Sequence, residues 1–298
     1  MKLGFVGVGN MGNPMAANMI KAGHQLTVHD LSKDSAANLL EAGAAWADTP
    51  AAAASGQDAC FLSLPAPPDV KDVVLGAGGV LDATASGGAI IDLSTNSPIL
   101  VRELCATAAE KGVGFLDAPV SGGVRGARDG TLAVMVGGDA ELFERFKPAF
   151  DAIGGNVFHV GPIGAGNVAK LVNNQCAFIH MMGLTEALVL GAKAGIDPVV
   201  LRDVVRASSG GAFVWDGGAR AILKDRLAPS FNLNLATKDI GLAQDLADAI
   251  GAPAPMGKRA QELLVGYRDN GYALEDVLAT VKAIEEQAGY QVRGSWHD

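Results

Sequence analysis

The residues with the clearest chemical potential are one lysine and two asparagines near the middle of the chain. Residues 164–174 read Gly-Ala-Gly-Asn-Val-Ala-Lys-Leu-Val-Asn-Asn and predict the first turns of a helix. Steps of three and four residues place Asn167, Lys170 and Asn174 on one stripe of that helix. No formal charge follows over residues 171–185, so Lys170 lies at the polar end of an apolar helix, where a lysine can donate a proton with a tuned pKa. A solvated lysine that extends its ammonium to the surface is the alternative.

The glycine-rich start of the chain predicts a dinucleotide-binding loop. A β-rich run over residues 2–6 opens into Gly-Val-Gly-Asn-Met-Gly, and an apolar helical pattern follows as far as Gly23. This is the G-x-G-x-x-G pattern between a strand and a helix, which allows a pyrophosphate to approach the backbone N–H groups and the positive end of the helix dipole. The predicted cofactor-binding residues of this loop are Gly7, Gly9, Asn10, Met11 and Gly12.

Asp30 is the residue that predicts which dinucleotide binds. It ends the second predicted strand, Gln25 to His29, and its carboxylate can accept hydrogen bonds from the ribose hydroxyls of NAD while it repels the 2′-phosphate of NADP. No arginine follows, and Lys33 is the nearby cation that could soften the preference. The same carboxylate could also cap the next helix. The predicted cofactor is NAD.

Two further apolar runs predict parallel strands that end near the cofactor. The runs over residues 58–64 and 89–93 stop at turns rich in proline and serine. Because the carboxyl ends of parallel strands open onto the ligand crevice, Leu64, Pro65 and Thr95 are candidate cofactor contacts. Ordinary turn chemistry would explain the same residues.

A second glycine-rich turn follows the predicted strand that ends near Asp117. The backbone N–H groups of Ser121, Gly122 and Gly123, with the serine hydroxyl, predict a concave site for a small carboxylate. A phosphate loop is the alternative, but no Gly-Lys-Ser/Thr follows. Arg125, just beyond, either pairs with a second anionic group of the substrate or lies on the surface.

The order of the predicted elements indicates two domains. Strands and helices alternate as far as Pro162, and only helical patterns follow. We therefore expect an α/β fold, a Rossmann-type doubly wound sheet over residues 1–162, followed by an all-α C-terminal domain over residues 163–298. The last helix is predicted from about Leu274 to Gly289.

Charge and composition exclude several classes of function. The net charge of -9 disfavours nucleic acid and anionic membranes as partners. No signal-peptide core is found, and no stretch reads as long and apolar enough to span a bilayer, which predicts a cytoplasmic protein. The cysteines lack metal-type spacing and predict buried free thiols without a metal site. They are Cys60, Cys105 and Cys176.

Four motifs in order give the chain a resemblance to a known family. They lie at residues 5–12, 117–123, 164–174 and 238–239. On these residues the chain resembles the β-hydroxyacid dehydrogenase family, and most of all its 3-hydroxyisobutyrate dehydrogenases. The resemblance implies NAD(P)-dependent oxidation of a short 3-hydroxy acid to a semialdehyde. It implies the following roles: Lys170 in catalysis, Ser121, Gly122, Gly123 and Asn174 around the substrate carboxylate, and Lys238 beside the cofactor.

Three apolar residues in the second half of the chain predict the substrate. Phe213, Val214 and Trp215, expected on a loop that faces the crevice, favour the methyl group of 3-hydroxyisobutyrate, which would be oxidised to methylmalonate semialdehyde. Interconversion of tartronate semialdehyde and glycerate, oxidation of L-serine or of a C3 sulfonate, and a non-catalytic NAD-binding relative are the alternatives. The apolar second half predicts a homodimer or homotetramer.

Overall fold

The computed structural model describes residues 1–293 and divides into two compact units between Lys170 and Leu171. Within the described residues, the first unit holds a nine-stranded sheet in the order β3-β2-β1-β4-β5-β6-β8-β7, with β9 paired to β8. The strands are β1 (Lys2–Val6), β2 (Gln25–His29), β3 (Ala45–Trp46), β4 (Ala59–Leu62), β5 (Ala89–Asp92), β6 (Gly114–Asp117), β7 (Val120–Ser121), β8 (Leu132–Gly137) and β9 (Gly154–Gly161). The order β3 to β6 is that of a dinucleotide-binding sheet, which confirms the predicted Rossmann-type fold.

Helices pack on both faces of this sheet because the central strands β4 and β5 are buried along their whole length. Every residue of β4 is buried. Neighbouring residues of this strand belong to two different hydrophobic cores: Phe61 lies in the core that contains Met15 and Met19, and Leu62 lies in the core that contains Val70. The helices of this unit are α1 (Gly12–Lys21), α2 (Ala37–Glu41), α3 (Pro50–Ala54), α4 (Pro67–Leu75), α5 (Val80–Ala83), α6 (Pro98–Glu110), α7 (Gly123–Asp129) and α8 (Ala140–Ile153).

The sheet changes direction at β8. This strand is antiparallel to both β6 and β7, with Asp117 opposite Gly137, whereas β9 runs parallel to β8 as far as Gly161. The sheet therefore ends where the sequence predicted, and the ends of β5 and β6, marked by the paired residues Asp92 and Asp117, lie side by side.

The second unit is helical, as predicted. Its described residues carry one isolated β-bridge, between Asn232 and Asp276. Its core contains Phe178 from α9 and Ile240 from α12. The helices are α9 (Ala165–Lys193), which begins in the first unit, α10 (Pro198–Arg206), α11 (Phe213–Leu223), α12 (Leu233–Ile250), α13 (Pro255–Tyr267) and α14 (Thr280–Ala288).

Two predictions about elements of the second unit are wrong. The last helix does not begin near Leu274, because Asp276 accepts a hydrogen bond from the N–H of Leu278 and starts a short 3-10 turn (Val277–Ala279) before α14. The apolar stretch that begins at Phe213 is the first turn of α11 rather than a loop. Trp215 packs in the core and donates its Nε1–H to the carbonyl of Arg202, so it lines no crevice of this unit.

The expectation that no stretch could span a bilayer also needs correction. Among the described residues, α9 is the one helix long and apolar enough to cross a membrane by length and composition, and 39% of its apolar window is buried. A single such helix is weak evidence of a membrane span, because core helices of soluble proteins pass the same test. The prediction of three buried thiols holds for Cys60, while Cys105 is half-buried and Cys176 exposed.

Candidate active site

The loop between β1 and α1 has the conformation that its glycines predict. Gly7 has a φ of +90°, and a Cβ atom on Gly12 would overlap the carbonyl oxygen of Gly7. A Cβ atom on Gly9 would meet nothing within 4 Å. No side chain caps the first turn of α1, so Asn10 and Met11 lead into a helix N-terminus of the kind that binds phosphate. The loop therefore fits a dinucleotide pyrophosphate.

Asp30 follows β2 and forms a hydrogen bond with this loop. Its Oδ2 accepts a hydrogen bond from the N–H of Val8 at 2.8 Å, and its Oδ1 accepts one from the N–H of Ser32 at 3.1 Å. The carboxylate is thus fixed beside the glycine loop, as a ribose-binding acid requires. Lys33 lies 5.8 Å from the ring centroid of Trp46, a cation–π distance, so this ammonium already has an aromatic partner.

Three more of the candidate cofactor contacts, Leu64, Pro65 and Thr95, lie after β4 and β5. The N–H of Leu64 donates to the hydroxyl of Ser94 at 2.9 Å, which joins the two loops, and Pro65 beside it is exposed. Thr95 is half-buried in the loop after β5. Both loops follow neighbouring strands of the parallel part of the sheet, and the cofactor contacts of these residues stay a prediction.

The predicted carboxylate site at the end of β7 is an open turn. Gly122 and Gly123 have φ values of +134° and +63° and are exposed, and Ser121 is half-buried. No side chain caps the start of α7, so no N-cap side chain accepts a hydrogen bond from its first N–H groups. The side chain of Arg125 is 94% exposed and lies 3.6 Å from Asp129. A small anion could bind the turn, as the sequence predicted, but Arg125 is not built into it.

A buried polar network that the sequence did not reveal lies where β5 and β6 end. Asp117 accepts hydrogen bonds from the N–H of Gly164 and the N–H of Asn167, both at 2.7 Å. The Oδ1 of Asn167 accepts from the N–H of Asn96 at 2.7 Å, and Asn96 donates its side-chain amide to Asp92 at 2.9 Å. Burial raises the pKa of Asp117 from 3.8 to about 6, the N–H donors oppose that rise, and the charge of Asp92 adds to it.

Lys170 follows this network by one turn of α9. Its side chain is only 8% exposed, which disfavours the solvated lysine considered as the alternative. The first turn of α9 is held by Asp117 through Gly164 and Asn167, so the backbone that carries Lys170 starts from a fixed point. The lysine is therefore buried and lies on a helix whose first turn is held by two hydrogen bonds, which fits an acid–base residue.

The predicted residues of the second unit lie together around one acid. Asp239 accepts a hydrogen bond from the side-chain amide of Asn174 at 2.7 Å, and its other oxygen lies 2.7 Å from the ammonium of Lys238. Asp239 is 2% exposed. It thus orients both Asn174 and Lys238. The sequence showed Asp239 beside Lys238 but did not predict this role. Substrate binding by Asn174 and cofactor binding by Lys238 stay predictions.

Comparison with known proteins agrees with this geometry. Residues 2–161 match the family model described as the NAD binding domain of 6-phosphogluconate dehydrogenase, and residues 164–284 match the NAD-binding model of NADP-dependent 3-hydroxyisobutyrate dehydrogenase. The chain is 44% identical to 3-hydroxyisobutyrate dehydrogenase of Pseudomonas aeruginosa over 88% of its own length and 90% of that protein. It is 38% identical to 2-(hydroxymethyl)glutarate dehydrogenase of Eubacterium barkeri, over 99% and 98% of the two chains.

A solved structure gives the same result for the fold. The 3-hydroxyisobutyrate dehydrogenase of Mycobacterium tuberculosis, solved with L-serine, superimposes with a TM-score of 0.87 at 33% identity, over 95% of this chain and 98% of that one. The glycine loop, Asp30 and the buried Lys170 are thus found in a chain whose relatives are dehydrogenases along nearly its whole length. The chain belongs to the β-hydroxyacid dehydrogenase family and is an NAD-dependent oxidoreductase that acts on the CH–OH group of hydroxy acids.

Proposed function

We propose that the preferred reaction is the oxidation of 3-hydroxyisobutyrate to methylmalonate semialdehyde. The 44% identical relative carries this activity in its name, and it is the strongest support for the choice. The buried position of Lys170 is the observation that carries the chemistry, because an oxidation of CH–OH requires a group that receives the hydroxyl proton.

Bound NAD supplies the acceptor for the hydride that leaves the substrate carbon. Lys170 exchanges the proton of the substrate hydroxyl, and its ammonium form stabilises the alkoxide that develops as the C–H bond weakens. The turn at Ser121, Gly122 and Gly123 binds the substrate carboxylate through backbone N–H groups. Asn174 and Lys238 are proposed to complete the substrate and cofactor sites, with Asp239 orienting both.

Phe213, Val214 and Trp215 do not form an aromatic pocket on a loop, so they do not support the choice of substrate. Trp215 lies in the core of its unit and Phe213 is 93% exposed, at the start of α11. L-serine and the glycerate and sulfonate substrates therefore stay as alternatives, and a non-catalytic relative is disfavoured by the retained lysine. The E. barkeri relative acts on a substrate with two carboxylates, which gives Arg125 a specific role to test.

Assembly and location are also proposals. Four exposed or half-buried apolar side chains recur along α9 at helical spacing: Val172, Ile179, Ala187 and Leu190. Such a stripe favours a homodimer or homotetramer that covers it. The acidic chain and its similarity to bacterial enzymes favour a cytoplasmic location.

The experiment is a panel of hydroxy acids assayed with NAD by NADH absorbance. The panel contains 3-hydroxyisobutyrate, L-serine, glycerate, a C3 hydroxysulfonate and 2-(hydroxymethyl)glutarate, ranked by kcat/KM. We expect 3-hydroxyisobutyrate to lead by at least roughly tenfold, a difference that about 1.4 kcal/mol of methyl-group binding supplies.

The same panel is run on Arg125→Ala, with Arg128→Ala as the control, an exposed arginine of the same helix. A lead for the dicarboxylate that disappears in Arg125→Ala alone would replace the proposed substrate and make Arg125 a specificity residue. No NADH formation with any acid would contradict the proposed reaction.

A further inference from the structure

The buried network at the ends of β5 and β6 is costly to build, which indicates a purpose beyond packing. Asp92, Asp117 and Asn167 are all fully buried. Two carboxylates on neighbouring strands repel each other, and burying either one is unfavourable unless hydrogen bonds compensate. Burial raises the pKa of Asp117 in spite of the hydrogen bonds from Gly164 and Asn167, which act in the opposite direction.

Two glycines make room for the network. A Cβ atom on Gly137 would overlap the Oδ1 of Asp117, and one on Gly166 would overlap the carbonyl oxygen of Met135. The first turn of α9 therefore lies too close to the sheet for a side chain at either glycine. The side chain of Asn167 holds this close approach, since its amide donates to Asp117 at 3.3 Å and its Oδ1 accepts from the N–H of Asn96 at 2.7 Å. The backbone N–H of the same residue also donates to Asp117.

The same network continues into the loops predicted to touch the cofactor. Asp92 accepts from the side chain of Asn96 and from the N–H of Ser94, and the hydroxyl of Ser94 accepts from the N–H of Leu64. The loop after β4, the loop after β5 and the start of α9 thus share one buried frame. A displacement at Asn167 would move the helix that carries Lys170 relative to both loops.

We propose that Asn167 is the positioning residue for Lys170, which it holds in register with the cofactor loops by bridging Asp117 to the backbone of Asn96. The proposal rests on the proposed acid–base role of Lys170. Asn167 itself touches neither substrate nor cofactor in this scheme. It acts through the first turn of α9, and its removal shifts the lysine without removing it.

The test is a double-mutant cycle on kcat with 3-hydroxyisobutyrate and NAD, or with L-serine where that acid is the better substrate. Asn167→Ala should lower kcat by about 10- to 100-fold, since a displacement of about 1 Å has that effect, and leave the Kd of NADH within about threefold. In the Asn167→Ala background, Lys170→Ala should cost at least about tenfold less than it does alone, because a misplaced lysine contributes less. Asn270→Ala, which removes an exposed asparagine that bonds the carbonyl of Gly266, is the control.

The outcomes separate the two proposals. A large loss in Lys170→Ala with strictly multiplicative effects in the double variant would overturn the positioning role alone. An active Lys170→Ala would overturn the acid–base role of the lysine and the positioning role with it. Loss of NADH binding in Asn167→Ala would show that the residue supports the cofactor loops instead.

Asn167→Asp provides a second test if Asn167→Ala does not fold. It keeps the acceptor for the Asn96 N–H and the shape of the side chain, but it places a carboxylate against Asp117, 3.3 Å away in the native pair. The kcat deficit should grow as the pH rises, because the two carboxyls then ionise side by side. The other titratable or charged groups here are Asp92 on β5, Cys105 on α6, Arg102, which donates to the carbonyl of Ile163, and Lys170 one turn along α9. All of them are present in both the variant and the unmodified protein. A deficit that does not change with pH would overturn the proposal.

Discussion

Replacement of Asp117 by asparagine should change how the stability of the protein depends on pH. Burial raises the pKa of this carboxyl from 3.8 to about 6, so the folded protein holds the proton over a range in which the unfolded chain releases it. The contribution of the carboxyl to stability is therefore complete below pH 3.8 and is lost as the pH rises through about 6. The whole shift corresponds to about 3 kcal/mol, of which about 2 kcal/mol falls between about pH 4.5 and about pH 8.

Asp117→Asn cannot titrate and so removes this dependence. The amide leaves one of the two facing N–H groups, those of Gly164 and Asn167, without its acceptor, at a cost of about 1 to 3 kcal/mol at every pH. The free energy of unfolding of the variant, relative to the unmodified protein, should therefore rise by about 2 kcal/mol from about pH 4.5 to about pH 8.

The assay is urea unfolding followed by the fluorescence of Trp46, which lies in the first unit, in a background with Trp215 and Trp296 replaced by phenylalanine. Asp139→Asn is the control, since this exposed carboxylate accepts one N–H, from Leu142, and its removal measures the general effect of losing an acid. A difference between Asp117→Asn and the unmodified protein that stays constant across the pH range would refute the raised pKa and the buried-carboxylate reasoning.

Three further predictions concern the cofactor and the assembly. NAD should be preferred over NADP by at least roughly tenfold in kcat/KM, a difference of about 1.4 kcal/mol. The double variant Asp30→Ser with Leu31→Arg should narrow or reverse this preference. Equal use of both cofactors by the unmodified protein would contradict the assignment of NAD. Gly12→Ala should weaken NADH binding by at least roughly tenfold, since the new methyl group displaces α1. Fluorescence titration measures the Kd of NADH, and Gly217→Ala, where a Cβ atom meets nothing within 4 Å, should leave that Kd unchanged. Light scattering at micromolar concentration should give a multiple of 30.4 kDa; a single-chain mass would contradict the homo-oligomer.

The sequence predicted best where local chemistry determines structure. The glycine loop and Asp30 were predictable because each glycine has a steric reason, and the structure places Gly7, Gly12 and Asp30 as that reason requires. The strands and the helical second half followed from apolar runs and periodicity. The domain boundary at residue 162 stays a prediction; the compact division falls at Lys170, within α9.

The sequence failed where long-range packing determines structure. The hydrogen bond between Asp117 and Asn167 joins residues that are 50 positions apart in the chain. An aspartate or an asparagine gives no local sequence signal of its partner. Trp215 was expected on a loop that faces the crevice, yet its indole packs in a core assembled from distant helices. Asp239 shows the intermediate case: its position beside Lys238 was visible, but its bond to Asn174 depends on the packing of α12.

Catalysis by Lys170 is tested most directly by its removal. The measurement is kcat of Lys170→Ala with the best hydroxy acid of the panel and NAD, together with the Kd of NADH for the same variant. We expect kcat to fall by roughly 10²- to 10⁴-fold while NADH binding stays nearly intact, because proton exchange is lost and the glycine loop with Asp30 is untouched. Lys170→Arg should not restore activity, since a guanidinium does not release its proton near neutral pH. An alanine variant that keeps more than about a tenth of the activity would contradict the acid–base role of Lys170.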